Sequence, residues 1–368
     1  MKIRVIEPAG AAAEPMPDEF SRSRVRRSLL ALGALAAALI AVLALAPDLG
    51  SLRADFAGAE PGWLALAAVL EVLSCASYVL VFRYVFCQRM RWRTSAEIGL
   101  SECAANSLLS VGGAGGLALG AWILRRGGVP GGEIARRTVA FFLLTSLANV
   151  GFLALAGAAL ATRVLSGPSN VLLGIVPAMV GAGAVLLGLA ARPAGQALAA
   201  RTRRQKVEVT MKALTEGVDE AVTLLRSREP AIAVGSAGYM LFDIAVLAVC
   251  FPAFGNPLPP VAVLLLAYII GQLGALVPLP GGIGGLDLGL IGALALYGVD
   301  ATDAAVAVIA YRGLLLAVPA AIGLPALASL HRRMRREQSD IAACVPGQEV
   351  EVLGGGRIRA PQLSSAAK

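Results

Sequence analysis

Two copies of one glycine-rich nonapeptide, each breaking a long apolar stretch, constrain this chain more than any other feature. Gly-Gly-x-Gly-Gly-Leu-x-Leu-Gly occupies Gly112 to Gly120 and again Gly281 to Gly289, with seven identities in nine positions and a spacing of 169 residues. A chance match of this length is hard to credit to composition, even in a chain of 42 glycines. The copies read as the tips of two repeated halves. Paired glycine- or proline-interrupted apolar segments are the sequence pointer to a binding site in repeat-built transporters. The second copy follows Pro278-Leu279-Pro280 and carries an acid, Asp287, whereas the first has Leu117 and Ala118 around the corresponding position.

Composition then fixes the environment. With 57% hydrophobic and 15% charged residues and a mean hydropathy of +0.74, the chain has more apolar surface than a soluble fold of 368 residues buries, which predicts a polytopic membrane protein. Its net charge of +8 sits on arginines in short loops beside apolar runs, as in cytoplasmic loops, and not in basic stretches interleaved with stacking aromatics. Nucleic acid is therefore excluded as a partner. The five cysteines (Cys75, Cys87, Cys103, Cys250, Cys344) show no metal-site spacing and read as small packing residues. The single histidine, His331, lies in a basic juxtamembrane stretch. Neither a metal site nor a cofactor is expected, and no Ser/His or Cys/His arrangement points to an enzyme. The glycine turns lack the strand and the Lys-Ser/Thr continuation of a nucleotide loop.

Along the chain, 1–27 reads as a disordered cytoplasmic N-terminus, since it is rich in Ala, Pro and acids without periodicity. The first membrane half, 28–191, holds expected spans at 28–46, 63–82, 138–161 and 171–191. The stretch 96–124 decides the topology: were it to cross, Arg125, Arg126, Arg136 and Arg137 would lie outside, against the positive-inside rule. A re-entrant hairpin turning at its glycines avoids this, and irregular backbone at that depth is tolerated where protein or a wet cavity surrounds it. The segment 192–230 is expected to be a cytoplasmic amphipathic linker, because Val207, Met211, Leu214, Val218, Val222 and Leu225 recur at steps of three and four; a plain solvated connector is the alternative. The second half, 231–328, has spans at 231–251 and 304–327 and a hairpin at 259–297 entering from the opposite face. A basic, then disordered, cytoplasmic tail fills 329–368. The expected fold is all-α: six transmembrane helices plus two oppositely oriented re-entrant hairpins, an inverted repeat in the cell membrane with both termini cytoplasmic.

Ionisable residues within apolar spans are costly and are functional-site candidates. Counting helical rise puts Asp287 about 15 Å and Arg312 about 12 Å from the outer face, with Asp243 and Glu71 also at about 12 Å and Asn106 about 15 Å from the inner face. These five converge beside the two turns, where Gly112, Gly113, Gly115 and Gly281, Gly282, Gly284 offer backbone N–H groups next to helix N-termini for a phosphate or sugar hydroxyl. Three acids against one arginine suit a cationic or polyhydroxylated headgroup, or proton coupling. Glu102 is a weaker candidate. The plain alternative is that these residues make interhelical hydrogen bonds and the glycines permit close packing.

Pro280-Gly-Gly-Ile-Gly-Gly-Leu-Asp287, the turn at Gly298-Val299, Tyr311-Arg312 in the last span, and the stretch from Asn106 through Leu124-Arg125-Arg126-Gly-Gly-Val129 resemble the lysylphosphatidylglycerol synthase transmembrane-region family, also called flippase-like membrane proteins. The resemblance covers roughly residues 28 to 330 and implies a lipid-handling membrane protein. In some members this means translocating aminoacylated or glycosylated lipids. The chain departs from the pattern at Leu117 and Gly120, where the family usually has Glu and Arg, at Phe141-Phe142, near which it usually has an acidic-Arg pair, and at Asp287, where Glu is usual. Only a short polar tail follows the last span, so lysyl transfer is not expected. The expectation is a flippase-like protein that translocates or presents a polar-headed lipid, its partner being a phospholipid or glycolipid headgroup. The alternatives are a secondary transporter of a small polar solute and a non-catalytic membrane subunit partnered with a lipid-modifying enzyme.

Overall fold

The computed structural model describes residues 3–4, 58–108, 114–199, 205–276, 285–342, 344, 349–352 and 356–359. Ten helices make up the described membrane part: α1 (Pro61–Phe86), α2 (Trp92–Leu108), α3 (Ala114–Arg126), α4 (Gly131–Ala161), α5 (Leu172–Ala199), α6 (Gln205–Arg226), α7 (Pro230–Ala253), α8 (Val261–Gly271), α9 (Gly285–Leu296) and α10 (Ala301–Ala342). A 3-10 turn, Gln272–Leu276, extends α8. In the terminal segments that read as disordered, the strands β1 (Ile3–Arg4), β2 (Glu349–Val352) and β3 (Gly356–Arg359) form a small antiparallel ladder in the order β1-β2-β3.

The 169-residue offset of the nonapeptides governs the helix borders as well. Shifted by it, α1 falls on α7, α2 on α8 with its 3-10 turn, α3 on α9, and the start of α4 on the start of α10. The helix starts match in chemistry too. Glu60-Pro61 opens α1 and Glu229-Pro230 opens α7, each proline standing in the first turn, where its missing N–H leaves nothing unpaired. The start of α10 is held by Asp300, whose carboxylate accepts the N–H groups of Thr302 (2.8 Å) and Asp303 (3.3 Å); these bonds hold its carboxyl below the usual carboxylate range.

Helix packing follows the same pseudo-symmetry. The equivalent helices α1 and α7 share the most extensive contact in the bundle, and each hairpin leans on the helix that follows the other hairpin, α2 on α10 and α8 on α4. Two apolar cores result. One gathers Phe82, Ile98, Trp122, Phe141 and Leu330, and the other Leu160, Leu247, Phe251, Leu266 and Leu294. Within each hairpin the strand of contacts runs antiparallel: Asn106 lies by Gly116 and Glu102 by Gly120, while Gly274 lies by Gly285 and Gly271 by Gly289. Contacts at the hairpin bases place their openings at opposite ends of the bundle. The base of α2 and α3 meets the end of α10, through Thr94 to Asp340 (3.0 Å), Arg91 to Asp340 (3.5 Å) and Gly127 against Ile341. The base of α8 and α9 lies with the start of α5, where Tyr297 donates to the Leu173 carbonyl (2.9 Å), and with the end of α4, where Gly167 lies beside Leu160 and Val263; the Glu60 N–H donates to the Ala253 carbonyl (2.8 Å) between the start of α1 and the end of α7.

Four helices are long and apolar enough to cross a membrane: Pro61–Phe86, Gly131–Ala161, Pro230–Ala253 and the Ala301–Arg333 part of α10. Of the other two expected spans, 28–46 lies outside the described residues, and the α5 segment has a shorter described apolar part, Leu172–Gly188. α5 still packs as membrane helices do. Gly157 and Gly174 bring its backbone against α4, and Val176, Met179, Val180 and Leu187 face outward. The amphipathic helix is present as α6, docked on α4 through Gly217, buried Ala221 and an Arg136–Glu220 ion pair (3.6 Å).

Two expectations change. The last helix continues past Glu337 to Ala342, because Ile341 is buried against Gly127 and Asp340 is tied to Thr94 and Arg91. Cys87 and Cys344, read as packing residues, form a disulfide (Cα–Cα 5.7 Å) that joins the loop after α1 to the end of α10.

Two measurements test this packing. A Cβ on Gly289 would sit 2.7 Å from the Gly271 carbonyl oxygen, whereas one on Gly292 meets nothing within 4 Å. Gly289→Ala is expected to destabilise detergent-solubilised protein by about 1–3 kcal/mol. Gly292→Ala should be neutral or stabilising by up to about 1 kcal/mol in the same thermal melts. Denaturing alkylation of protein purified without reductant is expected to label Cys75, Cys103 and Cys250 only, and all five cysteines after reduction.

Candidate functional site

The seam between α1 and α7 is where polar residues collect. On α1, Glu71, Ser74, Cys75 and Tyr78 recur at helical spacing and form one buried stripe. α7 faces it with Tyr239 and Asp243, and Ser74 Oγ donates to the Tyr239 carbonyl (3.1 Å), fixing the register of the two helices. Glu71 is 4% exposed and Asp243 9%, and the two carboxyls are close enough to interact electrostatically. Asp243 Oδ2 accepts the hydroxyls of Tyr268 from α8 and Tyr311 from α10, the latter at 3.1 Å. The Cys75 thiol donates to Glu71 Oε1 (3.9 Å), while Glu71 Oε2 has no hydrogen-bond partner among the described residues.

Arg312, next to Tyr311, pairs with Asp287 at 3.4 Å, and its charge also reaches Asp243. Asp287 stands in the first turn of α9, where the partial positive charge of the helix end favours an anion. That end is thus already occupied by a carboxylate, which weakens it as a phosphate site. Four of the five converging side chains expected from sequence, Asp287, Arg312, Asp243 and Glu71, are therefore linked through contacts. The fifth is not. Asn106 stays within its own hairpin, where Oδ1 accepts the Gly116 N–H at 2.8 Å and so ties α2 to the first turn of α3. Gly115 lies buried at the start of α3, and the remaining expected glycines, Gly112, Gly113, Gly281, Gly282 and Gly284, lie outside the described residues.

Glu102 belongs to this layer more firmly than its sequence context suggests. It is 2% exposed, accepts the Tyr78 hydroxyl at 2.7 Å, and its carboxyl fills the space that a side chain at Gly120 would need. In the second hairpin the equivalent of Glu102 is Gly271, whose backbone abuts Gly289 directly. Gly120 therefore leaves the room that the Glu102 carboxyl occupies. Cys103, the next residue, interacts with Cys75 and with both Glu71 and Glu102. The sequence signals for these were the tyrosines: a Tyr within an apolar helix needs a partner for its hydroxyl, and Tyr78, Tyr268 and Tyr311 each find a carboxylate.

The profile of the family described as "Lysylphosphatidylglycerol synthase TM region" matches residues 29–323. The chain belongs to this family. The match spans both halves, both hairpins and every residue of the polar layer, so this family member carries its acids on α1, α2, α7 and α9 and its one intervening arginine on α10. No curated protein matches the chain. Membership makes it a membrane protein, and a lipid-related one by the family's description.

The geometry ranks the pair energetically. Removing Arg312 takes away the cation that pairs with Asp287 and reaches Asp243, whereas removing Asp287 with it leaves one carboxylate fewer to compensate. Arg312→Gln is expected to lower stability by on the order of 1–3 kcal/mol, with Asp287→Asn/Arg312→Gln less destabilised than the single variant. Thermal melts of the three proteins in one detergent check this.

Proposed function

We propose that the chain translocates or presents a polar-headed lipid across the bilayer, taking a cationic or polyhydroxylated headgroup into the polar layer along the α1–α7 seam. One observation carries the reading: three buried acids, the half-buried Asp287 and Arg312 gather between two helical hairpins that open to opposite ends of an apolar bundle. A net excess of carboxylates attracts cationic or hydroxyl-rich groups and disfavours a bare phosphate. The family's link to an aminoacylated phospholipid supports the same chemistry.

On this reading the hairpins are re-entrant, one from each face, and form an inverted repeat around the seam. Arg89, Arg91, Arg125, Arg126, Arg136, Arg137, Arg332 and Arg333 mark the cytoplasmic end of the cell-membrane protein, by the positive-inside rule. The Cys87–Cys344 disulfide lies at that end. The outward-facing apolar residues of α5 lie in lipid.

The test uses vesicles of phosphatidylcholine and phosphatidylglycerol holding a minor fraction of aminoacylated phosphatidylglycerol, with an impermeant amine-reactive reagent reporting the outer leaflet. Wild-type protein is expected to expose inner-leaflet amine faster than protein-free vesicles. Asp287→Asn and Arg312→Gln should each slow this by about tenfold, the rate equivalent of one charge-assisted hydrogen bond. Equal rates with and without protein would rule the reading out for this headgroup. Uptake of a water-soluble amine without lipid movement would favour a solute transporter.

A further inference from the structure

The Glu71–Asp243 pair does something the headgroup reading does not require. These carboxyls come from different helices and are buried close enough to interact, and the cation that reaches Asp243 is Arg312 of α10. Two neighbouring buried anions cost more than one anion beside one neutral acid, so such a pair favours holding a proton. Glu71 Oε2 is the atom with room for it, since it lacks a hydrogen-bond partner among the described residues while Asp243 Oδ2 already accepts two tyrosine hydroxyls.

The surroundings supply both a route and a control. From α1 and α2, Cys75, Cys103, Glu102 and Tyr78 lead from Glu71 toward the first hairpin. From α7, α8 and α10, Tyr239, Tyr268, Tyr311 and Arg312 face Asp243, and Arg312 leads on to Asp287 of α9 at the second. α4 brings only the Phe141 ring, packed on Tyr78, to this level; its Glu133, Arg136 and Arg137 pair with one another at the basic end. Among the described residues, Arg312 is the cation placed to engage either Asp287 or Asp243. While it holds Asp287, the carboxyl pair keeps a proton; turned to Asp243, or replaced there by a cationic headgroup, it lets that proton go.

We propose that Glu71 and Asp243 form a proton-exchange site that couples one proton to each headgroup moved. Exchange involves O–H bonds alone. The carboxyl gives its proton to water reaching one hairpin and regains one from water at the other, with no change in oxidation state. Proton binding stands independently of the lipid reading, and the coupling rests on it.

Two measurements separate them. Infrared difference spectra of detergent-solubilised protein, alkaline minus acidic buffer, are expected to show loss of a protonated-carboxyl band that is missing in Glu71→Gln, with Asp243→Asn as second variant should the first not fold. In the aminoacyl-lipid vesicles, with membrane potential clamped by potassium and valinomycin, a pH difference of about one unit is expected to drive the steady-state leaflet ratio toward about tenfold. The same gradient should leave that ratio near one in Glu71→Gln. Leaflets that equilibrate whatever the gradient would overturn the coupling and leave lipid movement standing. Spectra of folded wild type that do not change between the buffers would overturn the proton site. A pH-sensitive band without lipid movement would overturn the lipid reading and uphold the proton site.

Discussion

The interior of this bundle is organised by the cost of placing carboxyls where water does not reach. An acid in hydrocarbon is tolerated when its charge is compensated or its oxygens find donors. The α1–α7 seam brings Glu71 and Asp243 together, and the rest of the architecture delivers their company. α2 brings Cys103 and Glu102, α8 brings Tyr268, and α10 brings Tyr311 and Arg312. The exchange of hairpins between halves, with α2 on α10 and α8 on α4, sets both hairpins beside the seam from opposite ends.

The pseudo-symmetry is strict in backbone and absent in chemistry. At the 169-residue offset Asp243 corresponds to Ser74, Glu71 to Met240, Glu102 to Gly271, Asp287 to Ala118, Tyr311 to Phe142 and Arg312 to Leu143. Every ionisable member of the polar layer faces a non-ionisable equivalent. Duplication explains the shared helix borders; the site arose where the halves diverged. The first hairpin keeps an acid, but on its incoming helix, opposite Gly120, and the second has its acid on the outgoing helix, within reach of Arg312.

How far the sequence discloses this depends on what kind of signal each feature leaves. The nonapeptides disclose the repeat, because glycine is needed wherever two backbones approach as closely as Gly289 and Gly271 do. Depth counting brings Asp287 to Arg312, since helical rise is regular. The same counting misplaces Asn106 as a member of the shared layer, because its bond to Gly116 is local to one hairpin and depth alone does not distinguish a cap from a site. Glu102 is undervalued for the opposite reason: its partner Tyr78 is 24 residues away on another helix, and no local pattern reveals that contact. The Cys87–Cys344 contact, separated by 257 residues, is hidden in the same way.

The asymmetry bears on what the site is able to select. The first half contributes Glu71 and Glu102 with the Tyr78 hydroxyl, while the second contributes Asp243 and Asp287 together with Arg312 and two tyrosine hydroxyls. On the proposed reading, a headgroup passing between hairpins of unequal charge meets a different balance at each end of the path. Near the first hairpin only carboxyls and Tyr78 receive it, which favours a cation or a hydroxyl donor. Near the second, Arg312 already neutralises Asp287, so a cationic group must displace the arginine before it engages the carboxylate. Binding and release therefore differ in what they cost at the two hairpins, and a gradient of proton or headgroup then acts on an uneven path. A strictly symmetric repeat would offer the same contacts at both ends and no such difference.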